Sequence, residues 1–203
     1  MKALLFTDFH AHLFQEFSKP DPKYYTDRFK QQCEVLETML KRASREKRIV
    51  IFGGDLFHKR GAVDVRVFNK IYNLFSKYCA TIPAIYLLRG NHDSYDNSMG
   101  SVSSLDTFST LKNTYVISKP MVINTNFKIA NKPLVLSFMP YGEDIDAMKH
   151  KLEEMSHTDS HSYNMLVAHL GINGARQGRS VHRLASAFSL SDMYPDSFDK
   201  VYL

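Results

Sequence analysis

Apolar residues along the chain fall into short runs and periodic stretches that alternate with polar segments. Lys2 to Thr7 is a brief apolar run ending at a polar turn, which predicts a buried strand. From Thr26 to Lys47 the apolar residues Phe29, Cys33, Leu36, Leu40 and Ala43 recur three or four apart. With Thr26 or Asp27 able to cap its start, this stretch predicts a helix. Arg48 to Phe52 predicts a second strand, stopped by Gly53-Gly54-Asp55. Asp64 to Tyr78 repeats the helical spacing through Val67, Ile71, Leu74 and Tyr78. Ala84 to Leu88 predicts a third strand, stopped by Arg89-Gly90-Asn91-His92-Asp93. The order strand–helix–strand–helix–strand argues for parallel pairing with right-handed crossovers.

The second half reads differently. Thr114 to Ser118, Met121 to Asn126 and Pro133 to Phe138 are closely spaced strands with turn signals between them, so an antiparallel or mixed section is expected. A helix is predicted over Ile145 to Met155, and a strand over Asn164 to Ala168 that ends at His169. Gly171 to Arg183 reads as a loop, and Lys200 to Leu203 as the start of one more strand. No repeat, low-complexity linker or domain boundary is visible, so residues 1–203 are expected to form one domain.

Composition narrows the classes. Hydrophobic residues make up 44% and charged residues 23% of the 203, which is globular and neither fibrous nor disordered. No stretch nears the roughly 20 apolar residues of a membrane span, and the apolar start is too short for a secretion signal. An intracellular protein without a membrane partner is expected. The two cysteines, Cys33 and Cys79, build no disulfide framework. The net charge of +5 permits an anionic partner without demanding one.

The polar strand ends carry the chemistry. In open α/β sheets ligands gather at the carboxyl ends of the strands. Asp8 and His10 follow the first strand two apart, a carboxylate and an imidazole suited to manganese, iron or zinc. Asp55 follows two glycines that let the chain turn sharply and project the carboxylate. Asn91 offers a neutral oxygen, His92 can give a proton, and Asp93 can orient that imidazole. His169 ends a later strand. Each feature alone is more often an ordinary turn or packed residue, but four strand ends sharing ligand-type residues outweigh coincidence.

Asp8-Phe9-His10, Gly54-Asp55, Gly90-Asn91-His92-Asp93 and His169 together resemble the calcineurin-like metallophosphoesterases, over residues 1 to about 183. Within that family Gly53-Gly54-Asp55-Leu56-Phe57-His58 looks most like the SbcD-type double-strand-break repair nucleases. His58-Lys59-Arg60-Gly61 stands where the serine/threonine phosphatases would show Asp-Arg-Gly.

The resemblance implies a layered αββα sandwich, two mixed sheets flanked by helices. It implies two divalent metals about 3.5 Å apart, manganese before iron or zinc. Asp8 and His10 would hold one, Asn91 and His169 the other, and Asp55 would bridge them. His92 would protonate the leaving oxygen or steady the phosphate, helped by Asp93. The family's closing Gly-His-x-His does not occur before Leu203. The expectation is therefore a chain truncated before that motif, before a capping region and before the segment that docks an SMC-like ATPase.

The activity implied is hydrolysis of DNA phosphodiesters by an exonuclease or endonuclease subunit in recombination and repair. A phosphatase or small-nucleotide phosphodiesterase on the same site, and a catalytically incomplete DNA-binding or scaffold subunit, are the alternatives. A homodimer is compatible with either. His58, Lys59 and Arg60, and the acid-free group Arg176, Arg179, His182 and Arg183, are candidate phosphate contacts; for both, a solvated surface segment is an equal reading. The basic run Lys41 to Arg48 suits a helix end, and His157, Asp159 and His161 sit in a polar loop.

Overall fold

The structure is a computed structural model that describes residues 2–98, 100–175 and 186–203. The candidate contacts Arg176, Arg179, His182 and Arg183 lie outside the described residues. The chain divides into two compact units. One comprises Lys2–Asp96 and Ser101–Val116, and the other Asn97–Gly100 and Ile117–Leu203.

The first unit begins with β1 (Ala3–Phe6), then a two-residue pairing of β2 (Pro20–Asp21) with β3 (Tyr25–Thr26). Helix α1 (Asp27–Arg45) follows, then β4 (Ile49–Phe52), α2 (Val65–Cys79), β5 (Ile85–Leu88) and the edge strand β6 (Thr114–Ile117). The sheet order is β1-β4-β5-β6, with β1 parallel to β4 and β4 parallel to β5. This is the pairing that the strand–helix alternation predicts.

The helices form where the pattern places them. Thr26 Oγ1 accepts the Phe29 N–H at 3.1 Å and caps α1, and the Asp64 carboxylate accepts the Arg66 N–H at 2.9 Å and caps α2. Phe29, Cys33, Leu36, Leu40 and Ala43 of α1 and Val67, Ile71, Phe75 and Cys79 of α2 join Val50, Phe52, Ile85 and Leu87 in one core. Each such large side chain contributes about 1.5–3 kcal/mol relative to exposure. The basic end of α1 is a surface cluster in which Arg42, Arg45 and Arg48 all pair with Glu46. Those three cations are thus accounted for by helix termination and ion pairing.

The second unit carries β7 (Met121–Ile129), β8 (Lys132–Met139), α3 (Ile145–Ser156), β9 (Tyr163–Ala168) and β10 (Lys200–Tyr202), in the sheet order β10-β9-β8-β7. β7 and β8 are antiparallel, whereas β8–β9 and β9–β10 are parallel, a mixed sheet as expected. Met148, Leu152 and Met155 of α3 pack with Met139, Leu166 and Ala168. The whole is a mixed α/β fold with one parallel and one mixed sheet and helices packed on them. Among the described residues no helix is long and apolar enough to cross a membrane.

Candidate metal centre

Three neighbouring parallel strands of the first unit end at the same edge, and the loops after β1 and β4 are laced together by backbone bonds. Beyond β1, Asp8 N–H donates to Gly54 O at 2.9 Å, His10 N–H to Asp55 O at 2.9 Å and Ala11 N–H to Leu56 O at 2.8 Å. The loop after β1 thus runs alongside the loop after β4 for four residues. Asp8, His10 and Asp55 all take positive φ, at 53°, 48° and 61°. Residues other than glycine adopt this left-handed region rarely, and here the backbone bonds between the two loops hold it. Here the conformation brings one donor atom from each of the three within 4.8 Å of one another.

His10 lies between the two carboxylates, with Nε2 3.8 Å from Asp8 Oδ1 and 3.7 Å from Asp55 Oδ2. These separations exceed a hydrogen bond and suit donors converging on a shared cation. His10 Nδ1 is buried without a hydrogen-bond partner. Asp55 is 3% exposed, and its Oδ1 accepts the His92 N–H at 2.8 Å. Two carboxylates and an imidazole, one carboxylate almost wholly buried, fit a divalent cation, because a buried charge needs a counter-charge.

Gly90 is required by close approach. A Cβ there would stand 2.1 Å from Asp55 Oδ1 and 2.4 Å from Asp55 N. The chain after β5 therefore passes directly against the central ligand, which positions Asn91 and His92 beside it.

Asp93 has a larger structural part than the sequence suggests. Its carboxylate, 2% exposed with the residue, accepts four backbone N–H groups: Asp55 at 2.8 Å, Leu56 at 2.9 Å, Phe57 at 3.2 Å and Gly90 at 3.1 Å. Burial pushes this carboxyl up to about 6, opposed by the Gly90 N–H and reinforced by the charge on Asp55. A cation held at Asp55 would reverse that last contribution. The His92 ring is oriented by another group: its Nδ1 lies 2.5 Å from the His58 carbonyl oxygen. A carbonyl only accepts, so Nδ1 carries the proton and Nε2 is the nitrogen left for acid–base work. Asp93 is a positioning residue that ties the β4 and β5 loops together.

His58 stacks on His92 at 5.8 Å and 19°, and its ring is 5.5 Å from that of His10. Burial, followed by the neighbouring imidazoles of His12, His10 and His92, lowers the His58 pKa, so the ring favours its neutral form. Arg60 Nε donates to Asn91 O at 2.8 Å, which fixes this exposed guanidinium on the rim, and Lys59 is exposed beside it. His169 ends β9 in the second unit, where its N–H donates to Met139 O at 2.9 Å. Asp8, His10, Asp55, Asn91, His92, Asp93, His58, Lys59 and Arg60 all belong to the first unit.

Gln32, on α1, escaped the sequence reading. Its Nε2 donates to Phe9 O at 3.3 Å and His10 O at 3.1 Å, and its Oε1 accepts the His12 N–H at 3.2 Å. One side chain thus clamps the backbone on both sides of His10. No sequence signal marks it, because its partners are main-chain atoms about 20 residues away. Replacing Gln32 with alanine should weaken cation affinity about 10- to 100-fold at unchanged secondary structure, as loss of such supporting contacts does elsewhere. Isothermal titration with manganese, alongside far-ultraviolet circular dichroism, checks this.

Donors at the carboxyl edge of a parallel sheet, grouped for a divalent cation beside a proton-carrying imidazole, define a metal-dependent hydrolase centre. A family model, the calcineurin-like phosphoesterase domain, matches residues 1–190, and the chain belongs to that family. Metal-dependent hydrolysis of phosphoesters, typically with two metal ions, is the chemistry of this domain. A comparison with curated proteins finds no match.

Proposed function

We propose that this chain is a phosphodiesterase that cleaves DNA, as the nuclease subunit of an SbcD-type recombination and repair complex inside the cell, with manganese as its metal. The observation that carries this is the convergence of Asp8, His10 and Asp55 beside the stacked rings of His58 and His92. In that place the serine/threonine phosphatase branch would show Asp-Arg-Gly instead.

Asp8, His10 and Asp55 would hold one divalent cation, with Asn91 offering an oxygen toward a second and Asp55 shared. When bound, the cations offset the charge of the phosphodiester and make a water more acidic. The remaining work falls to the chain. His92, held through Nδ1 by the His58 carbonyl, would give a proton to the leaving sugar oxygen from Nε2 in its doubly protonated form, leaving the neutral Nδ1–H ring. Arg60, anchored on Asn91 O, and Lys59 supply positive charge for flanking phosphates. Oxygen-rich ligation with an imidazole suits manganese. An SMC-like ATPase is the partner this reading implies, and its retention on the immobilised full protein would test that part.

End-labelled single- and double-stranded DNA, incubated with and without manganese, tests the proposal. Manganese-dependent cleavage is expected, and His92→Ala should lower it about 10²- to 10⁴-fold, the usual worth of a positioned general acid, while cation binding persists. Hydrolysis of a phosphomonoester but not of DNA would replace the nuclease reading by a phosphatase. DNA binding without cleavage, unaffected by Asp55→Asn, would make the chain a scaffold.

A further inference from the structure

The loop that carries Asp8 and His10 continues into an aromatic ladder that starts at His92 and His58 and runs on to rings the hydrolytic chemistry does not use. His58 stacks on His92 at 5.8 Å, and Phe14 lies 5.0 Å from His58 and 5.0 Å from His12. The Arg28 guanidinium sits over the Phe14 ring at 4.6 Å and is fixed there by an Nη1–H bond to Glu16 O at 3.0 Å. At its far end the ladder opens into a cleft of about 300 Å³ lined by Phe9, Phe14, Arg28, Gln31, Gln32 and Val35. Phe9 separates the ligand residues Asp8 and His10 in the chain, so the cleft and the metal centre share one loop.

We infer that this cleft is a stacking subsite for one unpaired nucleobase of the DNA strand being cut. The inference rests on the DNA reading above and names the form of DNA it favours. The size is that of a small-ligand pocket, at the lower end of the usual range. Its walls combine aromatic rings and a guanidinium plane, the two surfaces on which bases stack in sequence-tolerant single-strand binding. No acidic side chain lines the cleft, and Arg28 adds a positive charge toward a strand of phosphates. Gln32 is fully engaged with the loop backbone, so its wall is rigid. Val35 is 54% exposed although apolar, and it gives the pocket a wall that water gains nothing from wetting.

Two ring-to-ring steps, of 5.8 and 5.0 Å, separate His92 from Phe14. The base so held therefore lies within about three nucleotides of the scissile phosphate, at the roughly 3.4 Å spacing of a strand. A base inside a duplex has both faces covered. The subsite accordingly favours strand ends and single strands.

Fluorescence anisotropy in EDTA, which prevents cutting, tests this with the full chain. Labelled single strands carry one abasic residue stepped through the three nucleotides from the end. The wild type is expected to lose affinity about 5- to 150-fold at one of those positions, the range for one stacked base. Phe14→Leu should lose affinity for the intact strand yet match the wild type on the abasic strand, Arg28→Gln should lose more on the intact strand than on the abasic one, and Phe14→Tyr should restore binding. Melting temperatures confirm that the variants fold. Wild-type binding that ignores every abasic position, or variants that lose equally on both strands, would overturn the subsite while leaving the DNA reading intact. No wild-type affinity for any DNA would overturn both.

Discussion

Asp55→Asn should abolish cation-dependent hydrolysis while leaving the fold in place. Asparagine has nearly the same shape, and its carbonyl oxygen can still accept the His92 N–H that Asp55 Oδ1 takes at 2.8 Å. Backbone contacts from Asp55, its N–H to Asp93 and its O to His10 N–H, do not depend on the side chain. What disappears is a negative charge, 3% exposed, at the centre of the donor group. Charge stabilisation by a metal is worth several kcal/mol, so kcat/KM should fall by about 10³ or more. Phosphodiester hydrolysis across a manganese series, with a thermal melt of each protein, measures both halves. An unchanged rate in Asp55→Asn would remove Asp55 from the centre.

Gly90→Ala should have an effect of similar size by a different route. The new Cβ would stand 2.4 Å from Asp55 N, a backbone atom with no rotamer to escape into, and 2.1 Å from Asp55 Oδ1. The β4 and β5 loops would have to part. In parting they would break some of the four N–H bonds that converge on Asp93. Overpacking of this kind costs about 1–3 kcal/mol, and each buried group left unpaired about 1–3 more. A fall in melting temperature of several degrees is expected, together with loss of manganese binding. A variant that melts and binds manganese like the wild type would mean the loops are not held in contact.

The strands, the helices and the edge they share were legible because each is written in local sequence. The spacing of Phe29, Cys33, Leu36, Leu40 and Ala43 marks the buried face of α1, and the caps Thr26 and Asp64 bound α1 and α2 within a residue or two. The ligand-type residues were legible for the same reason, since each follows a strand. Contacts that cross between distant segments through main-chain atoms were not. Asp93 reads as a partner of its neighbour His92, but its carboxylate is taken up by four N–H groups, three of them from the β4 loop. Gln32 holds the His10 backbone from a helix about 20 residues further on. β7 extends to Ile129, three residues past the predicted end, because Lys128 and Ile129 pair with Pro133 and Lys132 after a register shift that period-two alternation does not encode. The β2–β3 pairing is two residues long, too short to leave a pattern.

Arg89 shows the same limit. It is wholly buried, its Nη1 donates to Ser101 O at 3.3 Å, and Asp106, Asp96 and Asp93 lie near enough to oppose the lowering that burial imposes on its pKa. A buried cation at the end of β5, beside the Asp93 hub, supports the loop that carries Asn91 and His92. Nothing in the run Leu88-Arg89-Gly90 distinguishes it from a surface arginine.

Everything proposed for this chain depends on Asp8, His10 and Asp55 gathering a divalent cation. Electron paramagnetic resonance of free manganese, titrated into the wild type and into Asp55→Asn, asks this without relying on turnover. The centre described here predicts that the wild type depletes the free-manganese signal and that Asp55→Asn depletes it far less. Equal depletion by both proteins would contradict it.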